Sequence, residues 1–306
     1  MEKIAVIGAG LMGHGIAQVF AVKGHPVSLT DVNPDALGPA LENIRANLTL
    51  MAERGITSPG EVEPALDRIE TTTDSRTAVE GAAFVFEAAL ENLELKQKIF
   101  RDLDTWCAPA AVLATNTSVI SITEIAQKSE HRERIVGTHF WNPPYLIPLV
   151  EVIRGDDTGD AAMDAAFDLL KNAGKHPVRV NKDVPGFVGN RLQHALWREA
   201  ISIVERGIAD PATVDECIKY GFGMRLPILG PLENADMVGT DLTFAIHDYI
   251  LKHLERSPEP SPLLRQKVNE GDLGFKSGRG FQEWSEKDVE ASRNRLKEYL
   301  LKVTAG

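Results

Sequence analysis

A chain of 306 residues is too long for one comfortable core and fits two domains, or one large domain with a second packed on it. Its 43% hydrophobic and 25% charged content suits a soluble globular protein, and no apolar run approaches the ~20 residues that span a bilayer. The formal charge of -11 argues against nucleic acid as a general partner. Cys107 and Cys217 lack metal-ligand or CxxC spacing, so no metal site is expected and the compartment is read as a reducing cytoplasm.

Met1-Glu2-Lys3 leads directly into the apolar run Ile4-Ala5-Val6-Ile7, which leads us to expect no signal or transit peptide. That run ends in Gly8-Ala9-Gly10-Leu11-Met12-Gly13, after which Ile16, Ala17, Val19 and Phe20 fall on one helical face. The order is strand, GxGxxG turn, helix. Gly8 suits a tight turn, Gly10 lets backbone approach a pyrophosphate, and Gly13 lets helix and strand touch, with free amides and a helix dipole facing the phosphates. The next apolar run, Val27-Ser28-Leu29-Thr30, ends in Asp31, placed to accept from ribose hydroxyls and to repel a 2′-phosphate. The expected cofactor is therefore NAD.

Asn33-Pro34 caps a predicted helix through Leu48. Predicted strands then occur around Arg68-Thr71, Phe84-Phe86 and Ala111-Ala114, with a helix over 93–103 between the last two. This alternation predicts a doubly wound, mostly parallel α/β sheet, in which ligands collect at the carboxyl ends of strands. Three polar groups fall there: Glu87 with Glu91 and Lys96, then Asn116-Thr117-Ser118, then His139. His139 closes the run Ile135 to Phe140, and Glu151 lies in a second run, Leu149 to Ile153. An ionised glutamate across a sheet from a histidine would fix the imidazole tautomer and favour its protonated form. A half-buried histidine and an unrelated strand-edge charge is the other reading of the pair.

Composition changes near residue 182, and most of the chain beyond it reads as helix: 185–204, a helix capped by Asp210-Pro211, 232–254, and 296–301. We therefore expect an NAD-binding domain over 1–182 and an all-helical substrate and dimerisation domain over 183–306.

The motifs Gly8 to Gly13, Glu91-Asn92-Leu93-Glu94-Leu95-Lys96, Asn116-Thr117-Ser118, His139-Phe140-Trp141-Asn142-Pro143, Leu149 to Ile153, Pro185 to Arg191 and Gly274 to Phe281 stand in one order along the chain. In these the chain resembles the 3-hydroxyacyl-CoA dehydrogenases along nearly its whole length. The resemblance implies a Rossmann-type domain and NAD-dependent oxidation of an L-3-hydroxy group to a ketone, as in fatty acid metabolism. It implies His139 as general acid/base, Glu151 as its partner, and Ser118 and Asn190 as contacts to the substrate oxygen. Gly8, Gly10, Leu11, Met12, Gly13, Asp31, Glu91, Lys96, Ser118, Asn142 and Lys276 would line the cofactor site. The small-molecule substrate would be 3-hydroxybutyryl-CoA or a similar thioester, and the assembly a homodimer without nucleic acid or membrane.

Three features differ from the CoA-using members. Trp141 to Leu149 replaces their His-Phe-Phe-Asn-Pro-Val pattern and resembles the lambda-crystallin and L-gulonate 3-dehydrogenase branch. No lysine occurs between Lys23 and Lys96, although Arg45 and Arg54 could meet phosphates. The turn Gly221 to Pro231 is longer and carries Arg225, read here as a contact for an acidic substrate group. The alternative is thus the same chemistry on a free hydroxy acid or other non-CoA alcohol. Two remoter readings are a decarboxylating hydroxyacid dehydrogenase, which uses a lysine where this chain has Asn190-Arg191, and a non-catalytic NAD-binding relative.

Overall fold

The computed structural model describes residues 1–305. Strands and helices alternate through the first part: β1 (Ile4–Ile7), α1 (Gly13–Val22), β2 (Val27–Thr30), α2 (Leu37–Glu53), α3 (Val62–Asp67), β3 (Ile69–Thr72), α4 (Ser75–Val79), β4 (Phe84–Glu87) and α5 (Leu93–Trp106). They continue as β5 (Val112–Thr115), α6 (Ile122–Ala126), β6 (Ile135–Phe140), β7 (Leu149–Ile153), α7 (Asp160–Asn172) and β8 (His176–Val180). Among the described residues the strands form one eight-stranded sheet in the order β3-β2-β1-β4-β5-β6-β7-β8. Neighbours are parallel except β6 and β7. This is the expected doubly wound, mostly parallel sheet.

The exception has a simple cause. Only Trp141 to Pro148 separate β6 from β7, and a parallel return needs a crossover of a dozen residues or more. The chain must therefore reverse, and the antiparallel register sets His139 directly opposite Glu151.

Helices cover both faces, so β1, β2, β4, β5 and β6 are buried along their whole length, whereas the edge strands β3 and β8 keep exposed positions. Within β1, Ile4 and Val6 enter one core cluster with Ile16, Phe20, Ile44 and Phe140, while Ala5 and Ile7 enter another with Phe100, Leu113, Ile122 and Phe187. Phe20 stacks on Phe86 at 4.8 Å, and Phe86 meets Phe140 edge-on at 6.0 Å. Helix starts obey local capping: Asn92 accepts from the Leu95 N–H at the head of α5, and Asn33 from the Asp35 N–H in a short 3-10 turn before α2.

The helices α8 (Gly189–Glu205), α9 (Pro211–Tyr220), α10 (Pro231–Val238), α11 (Thr240–Ile250), α12 (Pro262–Glu270) and α13 (Glu286–Ala305) make up the rest. One helical stretch is expected over 232–254, but it breaks into α10 and α11 at Gly239, whose φ of 106° favours glycine. Two compact units result. Met1–Arg191 with the chain from Leu296 onward makes the first, and Leu192–Arg295 the second. Compared with an expected division at 182, two segments join the sheet unit. Asp183 accepts from Ser121 and Thr123 of the α6 start, and Leu301 packs against Met51 and Leu146 while Arg54 binds Glu298 at 2.5 and 2.7 Å.

Candidate active site

The glycine turn behaves as its sequence predicts. Gly8 has a φ of 101°, and a Cβ on Gly13 would stand 1.7 Å from the Gly8 carbonyl oxygen, so neither position admits a side chain. Gly10 is the opposite case: nothing lies within 4 Å of a Cβ there. Its open side, with no acidic residue in the first turn of α1, leaves room and favourable charge for a pyrophosphate. At the end of β2, Asp31 accepts from the Ala9 N–H at 2.8 Å and the Asn33 N–H at 2.9 Å, which fixes its carboxylate against the turn. The residues present therefore fit a dinucleotide. Leu11 is exposed and Met12 partly buried beside them.

The buried His139 and Glu151 side chains meet, with Nδ1 2.8 Å from Oε2. The second carboxylate oxygen, Oε1, accepts from the N–H groups of Val188 at 2.9 Å and Gly189 at 3.0 Å. Glu151 thus caps the start of α8 from another element, where Pro185 to Val188 offers no Ser, Thr, Asp or Asn to do so. Burial pushes the Glu151 carboxyl up, but the imidazole and the two amides outweigh it and hold the group below the usual glutamate value. An ionised carboxylate only accepts hydrogen bonds, so Nδ1 carries a proton, and in the neutral imidazole the lone pair is then on Nε2. Trp141 and Phe187 flank the imidazole, with ring centroids 5.4 and 5.7 Å away.

Asn116 ties the end of β5 to this pair by accepting from the Phe140 N–H at 2.9 Å. The next turn holds Ser118, whose carbonyl accepts from Asn190 Nδ2 at 3.1 Å. The backbone N–H of Ser118 binds Glu91 Oε1 at 2.9 Å. Burial pushes the Glu91 carboxyl up, yet the Thr117 hydroxyl, the Lys96 ammonium and the Ser118 and Val119 amides hold it below its usual value. The structure therefore forms two polar clusters in the first unit, Glu91–Ser118–Asn190 and His139–Glu151, which the chain joins where Gly189, a donor to Glu151, precedes Asn190.

Lys96 adjoins Glu91, and the other predicted residues stand outside these clusters. Lys96 is fully buried, its ammonium between Glu87 and Glu91. Asn142 is exposed, next to His139's strand end. Lys276 and Arg225 both belong to the second unit: the first lines a shallow cavity with Phe275 and Trp284, and the second is exposed after a short 3-10 turn. Sequence reasoning misses the Val188 and Gly189 amides and the flanking Phe187. The signal available is the helix start without a local capping side chain, which requires an acceptor from outside. Among the described residues no cluster of three or more His, Cys, Asp or Glu is placed to hold a metal, and no helix is long and apolar enough to cross a membrane.

Residues 3–184 match the family model "3-hydroxyacyl-CoA dehydrogenase, NAD binding domain", and residues 186–284 match "3-hydroxyacyl-CoA dehydrogenase, C-terminal domain". A probable 3-hydroxybutyryl-CoA dehydrogenase of Bacillus subtilis is 41% identical over 94% of this chain and 99% of its own length. A 5-formyl-3-hydroxy-2-methylpyridine 4-carboxylate 5-dehydrogenase of Mesorhizobium japonicum is 35% identical over 92% of this chain and 90% of its own. The solved structure of an enzyme of that second name, described as an NAD+-dependent dismutase, superposes with a TM-score of 0.92 at 34% identity, covering 99% of this chain and 97% of that one.

Proposed function

The chain belongs to the 3-hydroxyacyl-CoA dehydrogenase family, and from that premise we propose that His139 is the general acid/base of an NAD-dependent oxidation of a secondary alcohol to a ketone. The observation that carries this reading is the 2.8 Å His139–Glu151 contact at the carboxyl end of the sheet that also carries the glycine turn. The dinucleotide held at the glycine turn would supply the acceptor for the hydride of the carbinol carbon. The proton of the substrate hydroxyl goes to His139 Nε2, and the Glu151 carboxylate balances the imidazolium so formed. Ser118 offers a hydroxyl to the substrate oxygen. Asn190 Nδ2 gives one proton to the Ser118 carbonyl and keeps a second for the same oxygen. Gly8, Gly10, Leu11, Met12, Gly13 and Asp31 would hold the dinucleotide, with Asn142 as a further contact.

The substrate we propose is an L-3-hydroxyacyl-CoA of short chain, such as 3-hydroxybutyryl-CoA, which places the enzyme in fatty acid metabolism. A second reading, a free hydroxy acid or ring-borne alcohol, is favoured by one observation. Arg45 and Arg54, the cations that could meet a CoA phosphate, are paired with Glu63 and Glu298. Rates of NADH formation with 3-hydroxybutyryl-CoA, free 3-hydroxybutyrate and L-gulonate separate the two. Turnover of none of them would remove both.

The second unit supports a homodimer. No residue of α9, α10, α11 or α12 is buried, and Leu232, Phe244 and Tyr249 are 80%, 74% and 75% exposed. An apolar surface of this extent is an interface signature. Sedimentation of a monomer at micromolar concentration would contradict it. The free thiols of Cys107 and Cys217 fit a reducing compartment, and the cytoplasm is the proposed location.

A further inference from the structure

An imidazole buried on a helix has to find a partner for its N–H. His14, in the first turn of α1, is 7% exposed, and its Nδ1 lies 2.8 Å from the Gly10 carbonyl oxygen. A carbonyl only accepts, so Nδ1 carries a proton here. The same oxygen also takes the backbone N–H of His14, at a longer 3.2 Å. One residue thus fills both lone pairs of one carbonyl, and the imidazole makes the shorter bond.

The consequence lies at the other end of that peptide. The Gly10–Leu11 bond is trans, so its N–H points opposite to its C=O. Tying the carbonyl back onto α1 therefore turns the Leu11 N–H out of the helix start. Earlier amides of the turn are committed, that of Gly8 to the Thr30 carbonyl at 2.7 Å and that of Ala9 to the Asp31 carboxylate at 2.8 Å. The N–H groups of Gly10 and Leu11 have no partner among the described residues. Gly10 also has no side chain to fix the peptide, and nothing stands within 4 Å of the place its Cβ would take. The helix behind it is fixed, because Gly15 is pressed on Pro144, whose Cδ would lie 2.9 Å from a Cβ there.

We propose that His14 is a positioning residue for the dinucleotide: by holding the Gly10 carbonyl it aims the Leu11 N–H at the pyrophosphate. The inference rests on the reading of the glycine turn as the seat of that group. It adds a residue outside the glycine pattern, one that selects the peptide orientation the glycines merely permit.

The test measures dissociation constants by calorimetry, without substrate, for ADP-ribose, which carries the pyrophosphate, and for adenosine, which does not. His14→Ala weakens ADP-ribose by about five- to ten-fold, the effect of one lost hydrogen bond, and leaves adenosine within about two-fold. His14→Ser stays within about three-fold of wild type for both ligands, because a serine hydroxyl on a helix reaches the carbonyl four residues back. A lower melting temperature in His14→Ala with no separation of the two ligands would make the imidazole a helix-stabilising group only and overturn the proposal. Equal weakening by alanine and serine would make the imidazole itself a contact of the dinucleotide, which overturns it too. If the wild type binds ADP-ribose no more tightly than adenosine, the turn is not the pyrophosphate seat, and the proposal falls with that reading. A phosphate gain in the wild type that His14→Ala leaves untouched removes His14 alone. If His14→Ala does not fold, the serine variant and the nitrogen-15 spectrum of the wild-type imidazole decide: a protonated His14 Nδ1 is expected, and an unprotonated one overturns the proposal.

Discussion

Gly189 and Trp141 are fitted to each other: a Cβ at position 189 would stand 2.4 Å from Cζ2 of the indole and 3.3 Å from Glu151 Oε2. Gly189 opens α8 and gives its N–H to Glu151, so this contact seats the indole beside the His139–Glu151 pair. Gly189→Ala should improve helix propensity by ~0.5–1 kcal/mol, yet the clash of overpacking costs ~1–3 kcal/mol and wins. A lower melting temperature and lower turnover are expected. Trp141→Phe removes Cζ2, so the double variant should recover much of the lost stability. Equal losses from Gly189→Ala in both backgrounds, measured by thermal unfolding, would show that the two do not interact.

His139→Gln should leave NAD affinity nearly intact and lower turnover by the ~10²–10⁴-fold of a lost general acid/base. Glu151→Gln should reach a similar loss by a different route. The glutamine oxygen still accepts from Val188 and Gly189, which turns its NH₂ toward His139 Nδ1 and drives the imidazole proton to Nε2, where the base is needed. Steady-state kinetics with calorimetric NAD titration distinguish chemistry from binding. Undiminished turnover in either variant refutes the assigned role.

Acid should expose the stability that Glu151 contributes. Its carboxyl titrates below the usual value of 4.5 in the folded chain, so the contribution is fully present above the unfolded value and is lost as pH falls through the folded one. The stability gap between wild type and Glu151→Gln is therefore expected to be constant above about pH 6 and to close below about pH 4.5. Urea titrations across this range report it. A gap unchanged down to pH ~3 would mean that the charge of Glu151 does not stabilise the fold.

Asp31→Ala removes the carboxylate that accepts from Ala9 and Asn33 at the glycine turn. Discrimination against NADP should fall, read as the ratio of kcat/KM for NAD to that for NADP. A variant that keeps the wild-type ratio would detach Asp31 from the ribose.

How much of the fold and site is legible in the sequence depends on where each constraint lies along the chain. The glycine turn and Asp31 are readable because every demand on them is local: a turn, a close approach, a strand end. The His139–Glu151 pair is readable because both lie in apolar runs joined by too few residues for a crossover. Lys96 is harder, since its fate is decided by Glu87 in an otherwise apolar strand. Even so, Lys96 occupies the buried stripe of α5 with Phe100 and Leu103, a position where a lysine needs a counter-charge. The amides of Val188 and Gly189 carry no side-chain signature, and only the missing local cap of α8 hints at them. Helix breaks such as Gly239 are invisible to a periodicity that stays in phase across them.

The antiparallel pairing of β6 and β7 has an evolutionary consequence. Ladder hydrogen bonds set the spacing of His139 and Glu151, with β8 buttressing the outer strand, so the segment from Trp141 to Pro148 does not have to hold the pair together. That segment is anchored independently, by Lys175, which donates to the carbonyls of Pro144 and Ile147. A lineage can therefore rewrite the connecting loop, and with it the wall beside the imidazole, without disturbing the His139–Glu151 contact.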